Sequence, residues 1–156
     1  MSELELILLT NSDNCTLYTI KFLEDSQNEF QKFVSKFRED ATYGQDYEQI
    51  AIFLDQIIKR GALERYFRPE GKMRDHVVAL PTIGSKLRLY CLRMSDKILI
   101  IGNGGVKSTR TYGEDKTLAG FVLTLQKFEE LLKQGQKDGS VIITKSSIQT
   151  DRTFGI

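Results

Sequence analysis

Three strand-like segments follow one another closely in the middle of the chain, and this run constrains the fold more than any other feature. They cover residues 76–80, 86–94 and 97–101, and the turn-forming residues 81–84 and 95–96 separate them. Short turns of this kind join antiparallel strands. Along residues 86–93 polar and apolar side chains mostly alternate, with Lys86, Arg88 and Tyr90 on one face. The pattern predicts a strand with one polar face and one buried face.

Amphipathic helices stand on both sides of this run in the sequence. Apolar residues at helical spacing predict helices over residues 27–38, 46–60 and 116–133. Ser26, followed by Glu29 three positions later, predicts a capping box for the first helix, and Gly61 is expected to end the second.

Further strand patterns at residues 4–9, 16–23 and 140–144 give the order β, β, α, α, β, β, β, α, β. This order predicts an α+β fold with a small, mostly antiparallel sheet, a helical hairpin before the central strands and a helix after them.

Length and composition are those of an ordinary globular domain. The 156 residues suffice for a single domain with its own core. No apolar run approaches the roughly 20 residues that span a bilayer, and the acidic N-terminus lacks the pattern of a secretory signal. We therefore expect a cytoplasmic protein. Cys15 and Cys91 lie inside apolar runs, which favours two buried thiols over a disulfide or metal site.

Positive charge is concentrated in one part of the chain. Residues 59–110 contain twelve basic and four acidic side chains, a net charge of +8, whereas the whole chain carries +1 and the remainder therefore −7. If the fold gathers the basic residues on one face, that face would attract a polyanion. The alternative is that they are spread over a solvated surface and pair with acidic residues.

A glycine-rich segment at residues 102–109 follows the third strand of the central run, as a phosphate-binding loop would. The spacing does not fit, because Val106 stands where such a loop needs a glycine before Lys107. The glycines instead predict a bulge or bend at the end of the strand. Glu129 and Glu130 are expected on the solvated face of the third helix.

The residues of the basic segment suit RNA chemistry. Cleavage at a 2′-hydroxyl requires a group that removes its proton, charges that stabilise the transition state and a proton for the leaving oxygen. Lysine and arginine can stabilise the charge, a tyrosine or histidine can move protons, and tyrosine can stack on bases. His76, the only histidine, is a candidate for proton transfer, although a structural role is the alternative.

The run KLRLYCLRMSDKILIIGNGGVKSTR at residues 86–110 resembles the RelE/ParE superfamily of toxins, especially its HigB-like and phage-derived branch. Arg88 matches the arginine of that family's first strand, and Lys107, Ser108 and Thr109 match its Lys-Lys-Thr segment. The resemblance covers residues 16–133 and leaves residues 1–15 and 137–156 as extensions, which we expect to add edge strands.

The resemblance implies the toxin of a type II toxin-antitoxin pair, which binds RNA or the ribosome and is neutralised by a small helix-turn-helix antitoxin. Many relatives cleave mRNA on the ribosome without a metal or other cofactor. The alternative is a non-catalytic interaction protein on the same fold, either a ParE-like gyrase inhibitor or a degenerate toxin. The pair Leu80-Pro81 favours this alternative, because it replaces a Leu-Arg of many relatives.

Ten residues are therefore candidates for the site, and no metal ligand is among them. Those expected to act in catalysis are His76, Arg88, Lys107 and Tyr112. Those expected to contact RNA are Arg68, Lys72, Arg74, Lys86, Arg93 and Arg110.

Overall fold

A computed structural model describes residues 2–70, 75–81, 84–108 and 115–156. Over these residues seven strands form one sheet and two short strands form a separate ribbon. The sheet contains β1 (Glu3–Asn11), β2 (Thr16–Phe22), β3 (Arg68–Pro69), β4 (Val77–Leu80), β5 (Leu87–Ser95), β6 (Ile98–Val106) and β9 (Phe154–Gly155), and the ribbon contains β7 (Ile142–Ile143) and β8 (Ile148–Gln149).

The strands of the sheet lie in the order β3-β4-β5-β6-β2-β1-β9. The pair β2–β6 is parallel and the other neighbours are antiparallel. The central run of three strands forms the meander β4-β5-β6, in which Ser95 pairs with Ile98 across a tight turn. The prediction of an α+β fold with a mostly antiparallel sheet is confirmed.

Three helices cover the two faces of the sheet. They are α1 (Glu29–Phe37), α2 (Gly44–Arg60) and α3 (Lys116–Asp138), and a short 3-10 helix, Glu64–Tyr66, follows α2. Side chains of α1 and α2 pack with Leu99 and Ile101 of β6, whereas side chains of α3 pack with Ile98 and Ile100. Within the described part of the chain, no helix has both the length and the apolar character needed to cross a membrane.

Strand β5 is buried on both faces, so the prediction of a polar face was wrong. Leu89 and Cys91 join the core beneath α1 and α2, and Tyr90 and Leu92 join the core beneath α3. The reason is the position of β5 in the middle of the sheet, with helices on either side. Arg88 is therefore only 7% exposed despite its charge.

Two helix ends differ from the prediction. Asn28, and not Ser26, caps α1, because its side chain accepts from the backbone N–H of Gln31 at 2.8 Å while the Gln31 side chain accepts from the backbone N–H of Asn28 at 2.8 Å. Helix α3 continues five residues beyond the predicted end, to Asp138, and stops at Gly139 with φ 84°. Gly61 follows α2 as predicted.

The glycine-rich segment continues β6 and contains the predicted bulge. Cys91 pairs with Ile101 and Leu89 with Gly104, so β6 has one residue more than β5 between these two pairs. A Cβ atom on Gly104 would lie 1.8 Å from the carbonyl oxygen of Arg88. Glycine at this position allows the two backbones to approach.

Both terminal extensions belong to the folded structure. β1 pairs with β2, and β9 pairs with Glu3 and Leu4 of β1, so the expectation of added edge strands is confirmed. The strand predicted at residues 140–144 was wrong in length and place, because only Ile142–Ile143 is a strand and it pairs with β8 outside the main sheet.

Candidate anion-binding site

Two of the predicted cations approach a single buried carboxylate. Arg68 lies in β3, and its Nε is 3.6 Å from Oε1 of Glu70. Lys107 directly follows β6, and its Nζ is 3.7 Å from the same oxygen. The side chains of Glu70 and Lys107 are 5% and 6% exposed, whereas that of Arg68 is 44% exposed. We call Arg68, Glu70, Arg88 and Lys107 the cationic cluster.

Arg88 belongs to this cluster through its electrostatic environment. Burial lowers the pKa of its guanidinium, and the nearby charge of Arg68 lowers it further, while Glu70 and Tyr90 act in the opposite direction. Its Nη1 donates to the carbonyl oxygens of Ser85 and of Leu87, the latter at 3.1 Å. Its Nε is buried and has no hydrogen-bond partner among the described residues.

The cluster has a surplus of positive charge. Two cations pair with one carboxylate, and a third, Arg88, lies in its electrostatic environment, so the four side chains carry a net charge of +2. A buried unpartnered donor and an uncompensated charge are both costly in a protein interior. An oxyanion such as a phosphate could balance the charge, and arginine is well suited to bind it.

His76 lies in a different part of the structure from Arg88. Its backbone carbonyl accepts from the N–H of Arg93, five residues along β5 from Arg88. At roughly 3.3 Å per residue, about 16 Å of strand separates the two positions. Among the described residues, no hydrogen bond or ion pair joins His76 to the cationic cluster. The structure therefore does not bring these two predicted catalytic residues together.

The partner of His76 is Glu129, which was wrongly predicted to be solvated. Glu129 is 1% exposed, accepts from the backbone N–H of His76 at 3.1 Å and contacts Nδ1 of its ring. Glu130 is 70% exposed, as predicted. Because successive residues of a helix point in different directions, only one of the two carboxylates can face the sheet.

Arg93 makes structural contacts within the fold, and the expectation that it contacts RNA stays a prediction. Its side chain is 16% exposed, and its Nε donates to the carbonyl oxygen of Ala62 at 2.6 Å. Its guanidinium also pairs with Asp96 and, at 3.6 Å, with Glu64. These contacts tie β5 to the segment that follows α2 and leave Arg93 little surface for a ligand.

Of the remaining candidate residues, one is exposed and four lie outside the part of the chain that the structure describes. Lys86 is exposed, and its carbonyl oxygen accepts from the backbone N–H of Lys107 at 2.7 Å, so it lies beside the cluster. Lys72, Arg74, Arg110 and Tyr112 lie outside the described residues.

Neither cysteine is suited to nucleophilic chemistry. Cys15 and Cys91 are both buried and free, as predicted. Burial raises the pKa of the Cys15 thiol to about 11 and also raises the pKa of Cys91. Both groups are therefore neutral thiols near pH 7.

A second surface feature was not predicted from the sequence. A cleft of about 460 Å³ opens beside the first residues of α1 and α3. Inside it Lys32 pairs with Asp25 and, at 2.6 Å, with Glu29. Burial alone would lower the pKa of Lys32, but the two carboxylates outweigh it and raise the pKa. With Glu24 and Lys116 also in its lining, the cleft has more acidic than basic groups, and so lacks the charge that RNA requires.

Sequence reasoning also missed the burial of Glu70. It stands in the sequence Arg-Pro-Glu-Gly, and this turn-forming composition predicts an exposed loop residue. Its burial follows from tertiary contacts that no local pattern encodes. The one local hint of an ion pair in the sequence was the position of this single acidic residue between Arg68 and Lys72.

Comparison with known proteins provides no family for this chain. No family model, no curated protein and no solved structure matches it.

Proposed function

We propose that this protein is a RelE/HigB-like toxin of a type II toxin-antitoxin pair, which binds RNA or the ribosome at the cationic cluster and is neutralised by a small helix-turn-helix antitoxin. The observation that carries the proposal is the pairing of Arg68 in β3 and of Lys107 after β6 with one buried carboxylate, in the electrostatic environment of the buried Arg88 of β5. Phosphate binding is the chemistry that such a surplus of buried positive charge favours.

The topology also supports the proposal. The sequence resemblance implies a strand, a helical hairpin, a three-stranded sheet and then a helix, and β2, α1–α2, β4–β6 and α3 follow that order. The extensions add β1 and β9 at the edge of the sheet beyond β2, away from Arg68 on β3. They therefore leave the cluster uncovered by added strands.

Induced expression in a bacterial host tests the biological part of the proposal. A toxin of this class should arrest growth and leave transcripts that are cut during translation, and co-expression of its antitoxin should restore growth. Unimpaired growth at a verified level of folded protein would contradict the proposal.

Binding of a labelled single-stranded oligouridylate tests the site. Arg68 is the most exposed of the three cations in the cluster, so Arg68→Gln should remove a phosphate contact without opening the core. The slope of log affinity against log salt should fall by about 0.7 for a single lost contact on single-stranded RNA. Lys145→Gln is the matched control, because Lys145 is exposed and lies far from the cluster. The carbonyl oxygen of its neighbour Ser146 accepts from the hydroxyl of Thr16, which pairs with Ile98 at the start of β6, whereas Lys107 follows the end of that strand. An equal slope in wild type and Arg68→Gln would remove Arg68 from the interface.

A specific observation favours the second candidate, a non-catalytic interaction protein on the same fold. His76, one of the two proton-transfer candidates, is held by Glu129, away from the cations expected to bind phosphate, and the other candidate, Tyr112, lies outside the described residues. A general acid or base must lie within hydrogen-bond reach of its proton. Growth arrest with uncut transcripts would support this candidate, whereas transcripts cut during translation would support the nuclease.

A further inference from the structure

Charge holds the Oε1 atom of Glu70 in the cationic cluster. Its Oε1 is buried without a hydrogen-bond partner among the described residues, and its two ion pairs, at 3.6 and 3.7 Å, are longer than hydrogen bonds. Its backbone is fixed independently, because its N–H donates to the carbonyl oxygen of Val77 at 3.1 Å. The side chain can therefore change its position without breaking the β3–β4 pairing.

We infer that the Glu70 carboxylate occupies the place of a phosphate in the resting protein and competes with RNA for Arg68 and Lys107. This inference rests on the proposed function and adds a regulatory device to it. A carboxylate and a phosphodiester each carry one negative charge and bind arginine through similar oxygen atoms. One anion can replace the other around the same cations.

Competition by Glu70 would make the site discriminate between an isolated phosphate group and a polynucleotide. An isolated phosphate group would gain little by displacing a carboxylate that is already paired. A polynucleotide presents neighbouring phosphates to Arg88 and to the exposed cations Arg68 and Lys86, so it gains contacts that Glu70 cannot supply. The site should therefore favour a chain of phosphates over a mononucleotide.

The rival explanation is that Glu70 orients Arg68 and Lys107 for the ligand. The two explanations predict opposite effects when the negative charge is removed. If Glu70 competes with phosphate, its loss should strengthen RNA binding; if it orients the cations, its loss should weaken binding.

The decisive experiment compares wild type, Glu70→Gln and Glu64→Gln in oligouridylate binding between about 50 and 200 mM salt. Glu64→Gln is the matched control, since Glu64 also pairs with an arginine at 3.6 Å but is 86% exposed. We expect Glu70→Gln to bind on the order of tenfold more tightly than wild type, with a salt slope steeper by about 0.7. Glu64→Gln should change the affinity by less than about twofold, because its charge is solvent-screened.

The possible results separate this inference from the proposed function. Wild type that binds RNA, with Glu70→Gln equal or weaker, overturns the competition by Glu70 and leaves the proposed function standing. Failure of both proteins to bind RNA or ribosomes overturns the proposed function together with the inference.

A second variant and a second measurement keep the test valid if Glu70→Gln folds poorly. Glu70→Asp retains the charge but shortens the side chain, so it should bind oligouridylate with an affinity between those of wild type and Glu70→Gln. In thermal unfolding, pyrophosphate should raise the melting temperature of Glu70→Gln more than that of wild type, because it fills the place of the missing carboxylate. An equal rise in both, with no gain in affinity for Glu70→Asp, contradicts the inference.

Discussion

At the scale of single residues, Gly104 has the least room for a side chain of the glycines compared in the described part of the chain. Its missing Cβ would lie 1.8 Å from the carbonyl oxygen of Arg88, which is backbone and cannot turn away. We expect Gly104→Ala to lower the free energy of unfolding by about 3 kcal/mol or more, since β5 and β6 would have to separate. Urea unfolding followed by circular dichroism measures this.

Gly120→Ala provides the control for this substitution. Gly120 is exposed in α3, and a Cβ there would meet nothing within 4 Å. This variant should gain about 0.5–1 kcal/mol, because alanine favours a helix over glycine. Equal midpoints for Gly104→Ala and wild type would show that the β5–β6 bulge adapts to a side chain.

The candidate site shows how far single residues could be predicted. Residue type led to Arg68, Arg88 and Lys107, because phosphate binding limits the choice to a few cations; that these three bind phosphate stays a prediction. The burial of Arg88 and Lys107 was missed, as was the neighbouring carboxylate of Glu70, since alternation along one strand cannot show whether a second layer of helices covers it. The ion pairs of Arg93 were missed for a related reason, as its partners Glu64 and Asp96 become neighbours only in the folded chain.

At the scale of elements, the residue that caps the start of α1 is Asn28 in the structure, whereas the sequence predicts Ser26. Asn28 exchanges two hydrogen bonds with Gln31, whereas Ser26 is exposed and lies outside the helix. Asn28→Ala should therefore cost about 1 kcal/mol of stability. Ser26→Ala should stay within about 0.5 kcal/mol of wild type. Unfolding midpoints of the two variants in urea decide between the caps, and a larger loss for Ser26→Ala would restore the original prediction.

Long elements with a clear period were predictable, and short ones were not. Helix α2 and strands β2 and β5 each carry enough apolar residues for their period to be visible in the sequence. β3, β8 and β9 contain two residues each, so no periodicity exists to detect. Their pairing depends on where the longer strands place them.

At the scale of the whole molecule, the C-terminal residues complete the core above α3. The side chains of Val141, Ile148 and Phe154 are at most 6% exposed. The Phe154 ring lies 5.0 Å from that of Phe128 in α3, and the hydroxyl of Tyr18 accepts from the backbone N–H of Ile148 at 2.8 Å. The segment that falls outside the resemblance is therefore part of the same folded unit.

Removal of residues 140–156 should therefore unfold the whole protein. Burial of three apolar side chains contributes roughly 5 kcal/mol or more, which is comparable with the total stability of about 5–15 kcal/mol of a typical domain. We expect the truncated chain to lose its cooperative thermal transition in circular dichroism.

Phe154→Ala alone should cost about 3–5 kcal/mol, whereas Ile142→Ala, at a position that is 55% exposed, should cost less than about 0.5 kcal/mol. A truncated chain that melts at the wild-type temperature would show that residues 1–139 form a complete core without the tail.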